Sequence, residues 1–578
     1  MPFHFVQTRQ PVSVAHEPGT YHQVVESPPR LSAPWTRWTV LVLAVILLAV
    51  GFLTAGPGFA RADTLEVCKS GCAYETIIGA LGGAEPGDTV WVRAGDYRER
   101  EPVRLRPGVT VRGEDPEHPY LTVIRVEEGN AVVGTGRMLT TTCVLEGFTI
   151  IGGTGRAIYI QDGATEIIRN NVISGCITHY QGAAIRIDDE GTAPTIMNNV
   201  FSNNSTSDQG GAIYVCDASP LIVGNKFMNN HSDKDGGALA IRTIDRPGQQ
   251  AIVANNQFIS NTASAKGGAI YLEQSQPRIQ GNHIVSNTAL AGAGIYVNSY
   301  CSAGKALIHS NWIAHNKTHG MGWDSVGGAL AIANRADSLV DGNTIRQNTA
   351  WRGDGVYIDD SVPVLTNNVI IANGQAEILV NDGSPHIVNN TILGASTEST
   401  VGIEILGLSR PRVVNNIIAF EGYGIRCDGM AVPTIVYNDA WMSLVAHYTG
   451  VHVGSTNLSA DPHFADPAIE DYHLDATSPL IDAGTTDGAP SIDLDGESRP
   501  IDGNGDGIAV ADIGADEYAP PSVTATPVAT STPSRTATPG ATSIPTETAK
   551  ATSTAVLTLT ATPGPSLSCV YLPVIWKQ

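Results

Sequence analysis

The sequence has few charged residues, and few of those are basic. Of 578 residues, 16% are charged, and 34 Lys and Arg stand against 56 Asp and Glu, so the net charge is −22. A chain with this balance lacks the positive surface that attracts phosphates, which disfavours nucleic acid and anionic lipid as partners. Divalent cations and neutral sugars are compatible with it. Halotolerance and plain solubility explain the charge equally well.

Helical periodicity and common catalytic signatures are missing from the repeated part of the chain. Without a helix-length apolar pattern between the short β-branched runs, βαβ units are excluded. There is no Gly-His-Gly, the His residues hold no common column, and no spacing supports a zinc or binuclear site. Catalysis through such centres therefore has no support from the sequence.

A recurring asparagine motif organises the chain. Its clearest copy runs from Asn198 to Asn204 and is followed by Gly210-Gly211-Ala212-Ile213-Tyr214-Val215. Steps of 22 to 32 residues indicate a stacked-repeat architecture. The lead Asn recurs at Asn171, Asn199, Asn225, Asn256, Asn282, Asn311, Asn343, Asn368, Asn390, Asn416 and Asn438. A second Asn follows five places later at Asn204, Asn230, Asn261, Asn287, Asn316, Asn348 and Asn373.

Each repeat is predicted to be one coil of short strands. One coil has too little apolar surface to be stable alone, so each strand is expected to pair with its copy in the next coil, about 4.8 Å away. The Asn side chains then stack and hydrogen-bond along the column. The Gly pairs at 210–211, 236–237, 267–268 and 327–328 are expected to supply the positive φ of tight corners.

The pattern Asn-x-Ile-x-x-Asn…Gly-Gly-Ala-Ile-Tyr resembles right-handed parallel β-helix proteins of the pectin-lyase-like superfamily, over residues 64–440. The resemblance implies an all-β, right-handed parallel β-helix solenoid. An apolar pattern at helical spacing, from Tyr74 to Ala84, predicts a short N-terminal capping helix. The superfamily includes lyases, hydrolases, epimerases and non-enzymatic surface proteins, so the resemblance leaves the function open.

The flanking segments predict an exported, surface-exposed monomer. The apolar run 39–55 follows Arg30 and Arg37 and precedes an Ala60-Arg61-Ala62 cleavage pattern, which indicates a signal peptide or a membrane anchor. Membrane contact is expected only there or through an apolar C-terminal tag. The predicted organisation is a disordered cytoplasmic leader (1–36), signal or anchor (37–62), cap and first coils (63–150), β-helix repeats (151–440), C-terminal capping segment (441–518), disordered Ser/Thr/Pro-rich stalk (519–566) and tag (567–578).

Two cysteines lie close enough in the chain to pair. Cys68 and Cys72 are expected to close a small disulfide loop in an oxidising compartment. A metal site there is the weaker interpretation, because no His pair accompanies them.

Aligning the coils brings five tyrosines into one outward column. A Tyr column offers rings for stacking on sugars, with a wet hydroxyl. A cross-strand aromatic ladder that only stabilises the sheet is the competing interpretation. The ligand-binding candidates are Tyr159, Tyr214, Tyr271, Tyr296 and Tyr357.

Acidic residues follow three places after this column in successive coils. Asp162, Asp189 and Asp217 align there, with Asp188 and Arg186 beside them. Polysaccharide lyases of the superfamily bind Ca²⁺ with clustered acids and use Arg or Lys as base, so the resemblance makes these five residues catalytic candidates. Turn capping before a Pro-containing corner is the competing interpretation, and the sequence favours it, as at Asp217-Ala218-Ser219-Pro220.

A second calcium candidate lies near the C-terminus. Asp502, Asn504 and Asp506 match the early positions of an EF-hand or dockerin loop, and Asp512 is one place short of the last ligand. Ca²⁺ is the one cofactor that the sequence suggests. An acidic Gly-rich turn is the alternative.

The leading hypothesis that combines these features is an exported cell-surface β-helix protein. It is expected to bind a polysaccharide or cell-surface glycan, or to act in adhesion, and the sequence demonstrates no reaction. A Ca²⁺-dependent polysaccharide lyase or another polysaccharide-degrading enzyme is the second hypothesis. A non-enzymatic structural scaffold is the third.

Overall fold

The structure is a computed structural model that describes residues 62–99, 101–126, 132–135, 142–152, 155–242, 250–299 and 305–520. The predicted leader, almost all of the signal or anchor segment, the stalk and the C-terminal tag lie outside these residues. Within the described part of the chain, no helix has the length and apolar character needed to cross a membrane.

Successive coils stack as a parallel β-solenoid, so the predicted all-β fold is confirmed. A typical coil contributes Thr195–Met197 to sheet 1, Val200–Ser202 to sheet 2, Ser205–Thr206 to sheet 3 and Ile213–Cys216 to sheet 4. Each strand pairs in parallel with its counterpart one coil away. Within the described residues these sheets hold 15, 14, 6 and 14 strands.

The strand bounds follow the coils in order. Sheet 1 consists of Thr64–Val67, Thr89–Val92, Thr110–Gly113, Val144–Glu146, Ile167–Arg169, Thr195–Met197, Leu221–Val223, Ile252–Ala254, Arg278–Gln280, Leu307–His309, Leu339–Asp341, Val364–Thr366, His386–Val388, Arg412–Val414 and Thr434–Val436. Sheet 2 consists of Gly95–Glu99, Thr122–Val126, Thr149–Ile151, Val172–Ser174, Val200–Ser202, Lys226–Met228, Gln257–Ile259, His283–Val285, Trp312–Ala314, Thr344–Arg346, Val369–Ile371, Thr391–Leu393, Ile417–Ala419 and Asp439–Trp441. Sheet 3 consists of Ile177–Thr178, Ser205–Thr206, His231–Ser232, Thr262–Ala263, Thr288–Ala289 and Lys317–Thr318. Sheet 4 consists of Val103–Arg104, Val132–Thr135, Ile158–Gln161, Ile185–Asp188, Ile213–Cys216, Leu239–Arg242, Ile270–Glu273, Ile295–Asn298, Leu330–Ala333, Val356–Asp359, Ala376–Asn381, Val401–Leu406, Tyr423–Cys427 and Ala446–Thr449.

Two further strands and three helices complete the described elements. Phe464–Asp466 and Asp471–Leu474 form an antiparallel pair near the C-terminus. The helices are α1, Ile77–Gly83, and two 3₁₀ helices, Pro119–Leu121 and Pro467–Ile469.

The predicted N-terminal helix is present as α1. Its N-cap is Thr76, whose hydroxyl oxygen accepts a hydrogen bond from Gly79 N at 3.1 Å. Ile77, Ala80 and Leu81 form its buried face and join the solenoid core. The helix thus places apolar side chains over the first coils, as a solenoid cap requires.

The asparagine columns form as predicted. In the first column each Asn Nδ2 donates to Oδ1 of the Asn one coil on, from Asn171 to Asn438, at 2.9–3.1 Å, and the column continues to Asn457. The same Oδ1 also accepts the main-chain N–H, as Asn225 Oδ1 does from Asn199 N at 2.9 Å. The second column runs from Asn204 to Asn373 in the same way. Buried amides are therefore satisfied coil by coil.

The paired glycines have two different roles, which refines the prediction that both supply positive φ. Gly210, the first of its pair, has φ +71°. Gly211, the second, is required by packing, because a Cβ there would lie 2.0 Å from the carbonyl oxygen of Gly237 in the next coil. The corner therefore needs one glycine for its conformation and one for close approach of the coils.

Acidic residues replace asparagine at the end of the second column. Asn373 donates its N–H and Nδ2–H to the two carboxylate oxygens of Glu377 at 2.8 and 2.6 Å. Glu421 lies five residues after Asn416, at the position that Asn holds in earlier coils, and both its oxygens are buried without a partner among the described residues. Burial raises the pKa of Glu421 to about 8, and burial together with the charge of Glu421 raises the pKa of Glu377.

The C-terminal segment lies on the last coil at its start and then packs along the side of the solenoid. Leu458 N donates to Asn438 O at 2.8 Å, and Ala440 N donates to Leu458 O at 3.1 Å, so this part continues the stack. Leu474, Leu480 and Ile513 form one apolar cluster with Leu393 and Ile417 of sheet 2. Polar contacts follow the same line: Asn389 Nδ2 donates to the carbonyl oxygens of Asp512 and Gly514 at 2.9 and 3.0 Å. The outward side of sheet 2 is apolar in these coils, and covering it removes that surface from water.

Cys68 and Cys72 form the predicted disulfide. Of the other cysteines, Cys143, Cys176 and Cys427 are buried and reduced, as expected for small apolar fillers, and Cys216 is partly exposed. Cys301 lies outside the described residues.

We expect Asn256→Ala to destabilise the fold by on the order of 3 kcal/mol, because it leaves the amide groups of Asn225 and Asn282 without their partners in a buried column. Urea denaturation measures this. Gln257→Ala is the matched control, since Gln257 is the exposed next residue. Equal unfolding midpoints for the two variants would contradict a contribution of the Asn column to the free energy of unfolding.

We expect stability to fall as pH rises from about 4.5 to about 8. Over this range an unfolded chain has released the Glu421 proton, while the folded chain still holds it, because the folded pKa is about 8. Glu421→Gln should flatten the dependence of the thermal midpoint on pH. The exposed Glu398→Gln is the control and should keep the wild-type slope. An unchanged slope in Glu421→Gln contradicts the assignment.

Candidate functional site

The column on sheet 4 has the register that the repeat predicted. Tyr159 lies opposite Arg186, Arg186 opposite Tyr214, and Tyr271 opposite Tyr296. The column continues through Tyr357 and Leu379 to Glu404 and Arg426. Sheet 4 therefore presents a single row of aligned side chains.

Four of the five tyrosines in this row are buried, so their rings are not an open stacking surface. Tyr214, Tyr271, Tyr296 and Tyr357 are 4–8% exposed and pack in one cluster with Ala291 and Val326. Beside them lies a strip of four residues that each precede a glycine corner: Lys266, Ala291, Val326 and Arg352. Isolated parallel β-bridges join each residue of this strip to the one in the next coil. These four tyrosines therefore pack as part of the sheet, and of the five candidates Tyr159 alone is partly exposed. An aromatic cross-strand pair forms between Tyr271 and Tyr296, whose ring centroids lie 6.0 Å apart.

Cations from the strip contact the buried rings. The Lys266 ammonium lies 4.8 Å from the Tyr296 ring centroid, and the Arg352 guanidinium lies 5.9 Å from that of Tyr357. Burial raises the pKa of Tyr214 and of Tyr357 to about 12, so both phenols stay protonated at neutral pH.

The structure brings together part of the predicted acidic site. Asp188 Oδ2 accepts hydrogen bonds from Arg186 Nε at 2.5 Å and from Tyr159 Oη at 3.0 Å. The Arg186–Asp188 contact is an ion pair, with Asp188 only 7% exposed. Burial is the largest influence on Arg186 and lowers its pKa, but the hydrogen bond to Asp188 and the charges of Asp188 and the neighbouring tyrosines together outweigh it, so the net shift of the pKa is upward. Arg186 is therefore held in its charged form, which does not suit a general base.

The three aligned acids lie at turns. Asp162, Asp189 and Asp217 have φ of +61°, +77° and +53°, in the left-handed region that Asp tolerates at corners. Asp189 Oδ2 accepts a hydrogen bond from Asp162 N of the preceding coil at 3.2 Å. These observations support the turn-capping interpretation. Calcium binding by these acids stays a prediction.

Two residues beside the cluster, Arg156 and Tyr180, were not predicted. Arg156 lies over the rings of Tyr180 and Tyr159, at 5.0 and 5.7 Å, and donates from Nε to the carbonyl oxygen of Gln181 at 2.9 Å. Burial and the charge of Arg186 lower the pKa of Arg156. Neither residue belongs to the repeat column, so the repeat alignment gave no signal for them.

A second group, in the loops that lead into sheet 4, was also missed. Trp323 and Trp351 are 78% and 54% exposed, and the Arg352 guanidinium lies 4.8 Å from the Trp323 ring centroid. Next to them is a cavity of about 110 Å³. It is lined by Trp351, Arg352, Gly353, Asp354, Gln375, Ala376, Leu379, Ser399, Glu404 and Arg426. We call Trp323, Trp351 and this lining the tryptophan site.

The polar part of the tryptophan site is preformed. Arg426 Nη2 donates to Glu404 Oε1 at 2.8 Å, and both side chains are partly exposed. Asp354 is buried and accepts hydrogen bonds from Ala350 N at 2.8 Å and Gln375 N at 2.8 Å, which fixes the floor of the cavity. Isolated tryptophans in loops carry no periodic signal, and this explains why the sequence did not reveal them.

The predicted C-terminal calcium loop is only partly assembled. Asp502 accepts hydrogen bonds from Gly505 N and Gly507 N, both at 2.8 Å, and Asn504 Oδ1 accepts from Asp506 N at 2.9 Å. Asp512 is fully buried, and its carboxylate accepts hydrogen bonds from Asp482 N and Tyr518 N at 2.6 and 2.7 Å. Asp512 thus has a structural role, and calcium at the other three residues stays a prediction.

Family comparison agrees with the coil geometry. The family model described as "Right handed beta helix region" matches residues 130–313 and 291–418, which together make up half of the chain. The chain belongs to the right-handed β-helix family. No curated protein matches its sequence.

Solved structures similar to this β-helix act on several polysaccharides. A PL6 family alginate lyase is 12% identical, with 69% of this chain and 72% of that chain covered and a TM-score of 0.33. A GH87 α-1,3-glucanase catalytic unit from Streptomyces thermodiastaticus is 13% identical, with 69% and 70% covered and a TM-score of 0.29. Pectate lyase Pel9A is 13% identical, with 80% and 98% covered and a TM-score of 0.26. Such likenesses do not identify a substrate for this chain.

If the buried tyrosines are structural, Tyr271→Ala should destabilise the protein by on the order of 3–5 kcal/mol, as removal of a buried aromatic ring does. Tyr120→Ala is the control, because Tyr120 is 66% exposed, and it should change stability by less than about 0.5 kcal/mol. Urea denaturation measures both. Similar small effects would show that the Tyr271 ring is available for another purpose.

Proposed function

We propose that the protein binds a carbohydrate chain at the tryptophan site of sheet 4. The observation that carries this proposal is a pair of exposed indoles beside a polar cavity. Trp351 lines the cavity together with Arg352, and the Trp323 ring lies 4.8 Å from the Arg352 guanidinium. Large aromatic side chains are usually buried, and their exposure next to hydrogen-bonding groups is typical of a binding surface.

The chemistry of the site suits a sugar. The apolar face of a pyranose ring stacks on an indole, while its hydroxyls need both donors and acceptors. Arg352 and Gln375 supply donors, and the Glu404–Arg426 pair supplies both kinds of group. A cavity of about 110 Å³ has room for about four waters, so it accepts a ring substituent while the chain lies along the open face.

The proposal places the protein outside the cytoplasm. The Cys68–Cys72 disulfide supports an oxidising compartment. The sequence pattern of residues 37–62 supports export, and the Thr/Pro composition of 519–566 supports display on a stalk.

Polysaccharide lyase activity is the second candidate, and the cluster of Arg156, Tyr159 and Asp188 favours it. Two arginines face one buried carboxylate there, and Arg156 is the one whose pKa is lowered. A reaction at this cluster needs Arg156 as base, in place of the predicted Arg186. Absorbance of unsaturated products on uronic polysaccharides distinguishes this candidate from simple binding.

We expect full-length protein to retain specific glycans on an array, and Trp351→Ala and Trp323→Ala each to weaken binding to the best glycan at least tenfold. A stacked base on an aromatic ring contributes about 1–3 kcal/mol, and a sugar ring should lose a comparable amount with the indole. Isothermal titration calorimetry measures the affinities.

Trp91→Ala is the matched control for this experiment. Trp91 lies on sheet 1 under Arg93, whose guanidinium is 3.9 Å from the ring centroid, so it reproduces the Arg–Trp pair on a different face. Its loss should leave glycan binding unchanged. An array with no retained glycan contradicts the proposal and favours the scaffold hypothesis. Equal losses in all three variants contradict the location.

A further inference from the structure

Three metal-ligating side chains meet in the C-terminal segment, which packs against sheet 2. His473, Asp495 and Asp516 each place one ligand atom within 4.8 Å of the other two. His473 belongs to the strand Asp471–Leu474, and the two acids come from loops later in the chain. Among the residues that the structure describes, no other group of three or more His, Cys, Asp or Glu side chains brings its ligand atoms this close together.

The His473 ring is oriented as a metal ligand is. Its Nδ1 lies 2.5 Å from Asp471 Oδ1, and its Nε2 lies 2.6 Å from Asp495 Oδ2. Metal-bound histidines commonly donate one ring N–H to a carboxylate, and this contact fixes the tautomer and the ring plane. Asp471 is placed to accept that N–H, which leaves Nε2 directed toward the other two ligands.

Asp516 supplies a mostly buried carboxylate that uses one of its two oxygens in a hydrogen bond. The residue is 8% exposed, and its Oδ2 accepts a hydrogen bond from Leu474 N at 2.7 Å. Its Oδ1 accepts no hydrogen bond from any residue that the structure describes. Asp516 lines both cavities beside the cluster, so its carboxylate is accessible to a cation.

Two cavities meet at these ligands. One, of about 160 Å³, is lined by Trp312, Tyr472, His473 and Asp516. The other, of about 260 Å³, is lined by Asp495 and Glu497 together with His473 and Asp516. Both are large enough for water, so an ion held here has room for solvent ligands.

We propose that His473 Nε2, Asp495 and Asp516 bind a divalent transition metal ion of the Zn²⁺ type. The ion replaces the proton that His473 Nε2 shares with Asp495. An imidazole with two carboxylates favours such a metal over Ca²⁺, which takes oxygen ligands alone. Three protein ligands leave a fourth position for water on the cavity side. The site is independent of the carbohydrate proposal.

Binding ties together three separate stretches of the segment that covers sheet 2. The strand at 471–474, the loop at 493–495 and the end of the segment at 516 share the ion. Because the ion binds the folded arrangement, it stabilises that arrangement over the unfolded chain. A rise in the unfolding temperature with Zn²⁺ is therefore a readout that needs no knowledge of an activity.

Full-length protein is stripped with a chelator, dialysed against ZnCl₂ and analysed for bound metal, with thermal unfolding recorded in parallel. We expect about one Zn²⁺ per chain and a higher unfolding temperature. His473→Ala and Asp495→Asn should each weaken Zn²⁺ binding at least tenfold. His463→Ala, an exposed histidine of the same segment, is the control and should bind as the wild type does.

The second variant keeps the test decisive if His473→Ala folds poorly, because Asp495 is exposed and its replacement by Asn preserves shape. Circular dichroism verifies the fold of each variant. Absence of Zn²⁺ from the wild type overturns the proposal, and so does equal Zn²⁺ uptake by wild type and Asp495→Asn. A Ca²⁺ titration in the same series should be unaffected by either substitution.

Discussion

Hydrogen bonding between stacked asparagine side chains sets the register of this solenoid. Each amide oxygen of the first column accepts both the side-chain and the main-chain N–H of the Asn in the preceding coil, so a coil can join only with its Asn directly over its neighbour. Coils nevertheless differ in length, with a step of 32 residues from Asn311 to Asn343 and of 22 from Asn368 to Asn390. Additional residues must therefore leave the stack as loops.

The tryptophan site is a product of this constraint. In a typical coil six residues separate sheet 3 from sheet 4, between Thr206 and Ile213, whereas eleven separate Thr318 from Leu330. The longer connection carries Trp323 out of the coil, next to Arg352 of the following one. Fixed columns thus position variable loops, and a rigid scaffold that places adaptable loops is a common basis for binding.

Sequence periodicity predicted the coils, the two Asn columns and the alignment of Tyr159 with Tyr357, since each depends on a repeat that can be counted. It did not predict that Tyr271 and Tyr296 are covered. The covering strip at Ala291 and Val326 has no pattern of its own, and burial depends on how far it folds over the sheet. Asp512 illustrates the same difficulty, because it lies one place short of the last ligand of a calcium loop, and only the structure shows that its carboxylate accepts hydrogen bonds from Asp482 N and Tyr518 N.

The repeat in this sequence by itself determined the solenoid, its strand order and the identity of the stacked polar residues, because side chains in equivalent positions of equal coils have to meet. Tertiary structure alone decided which members of those columns face solvent, and which distant residues converge. The C-terminal segment runs along sheet 2 because apolar side chains such as Leu393 and Ile417 need cover there. That packing, which no local pattern encodes, brings His473, Asp495 and Asp516 together.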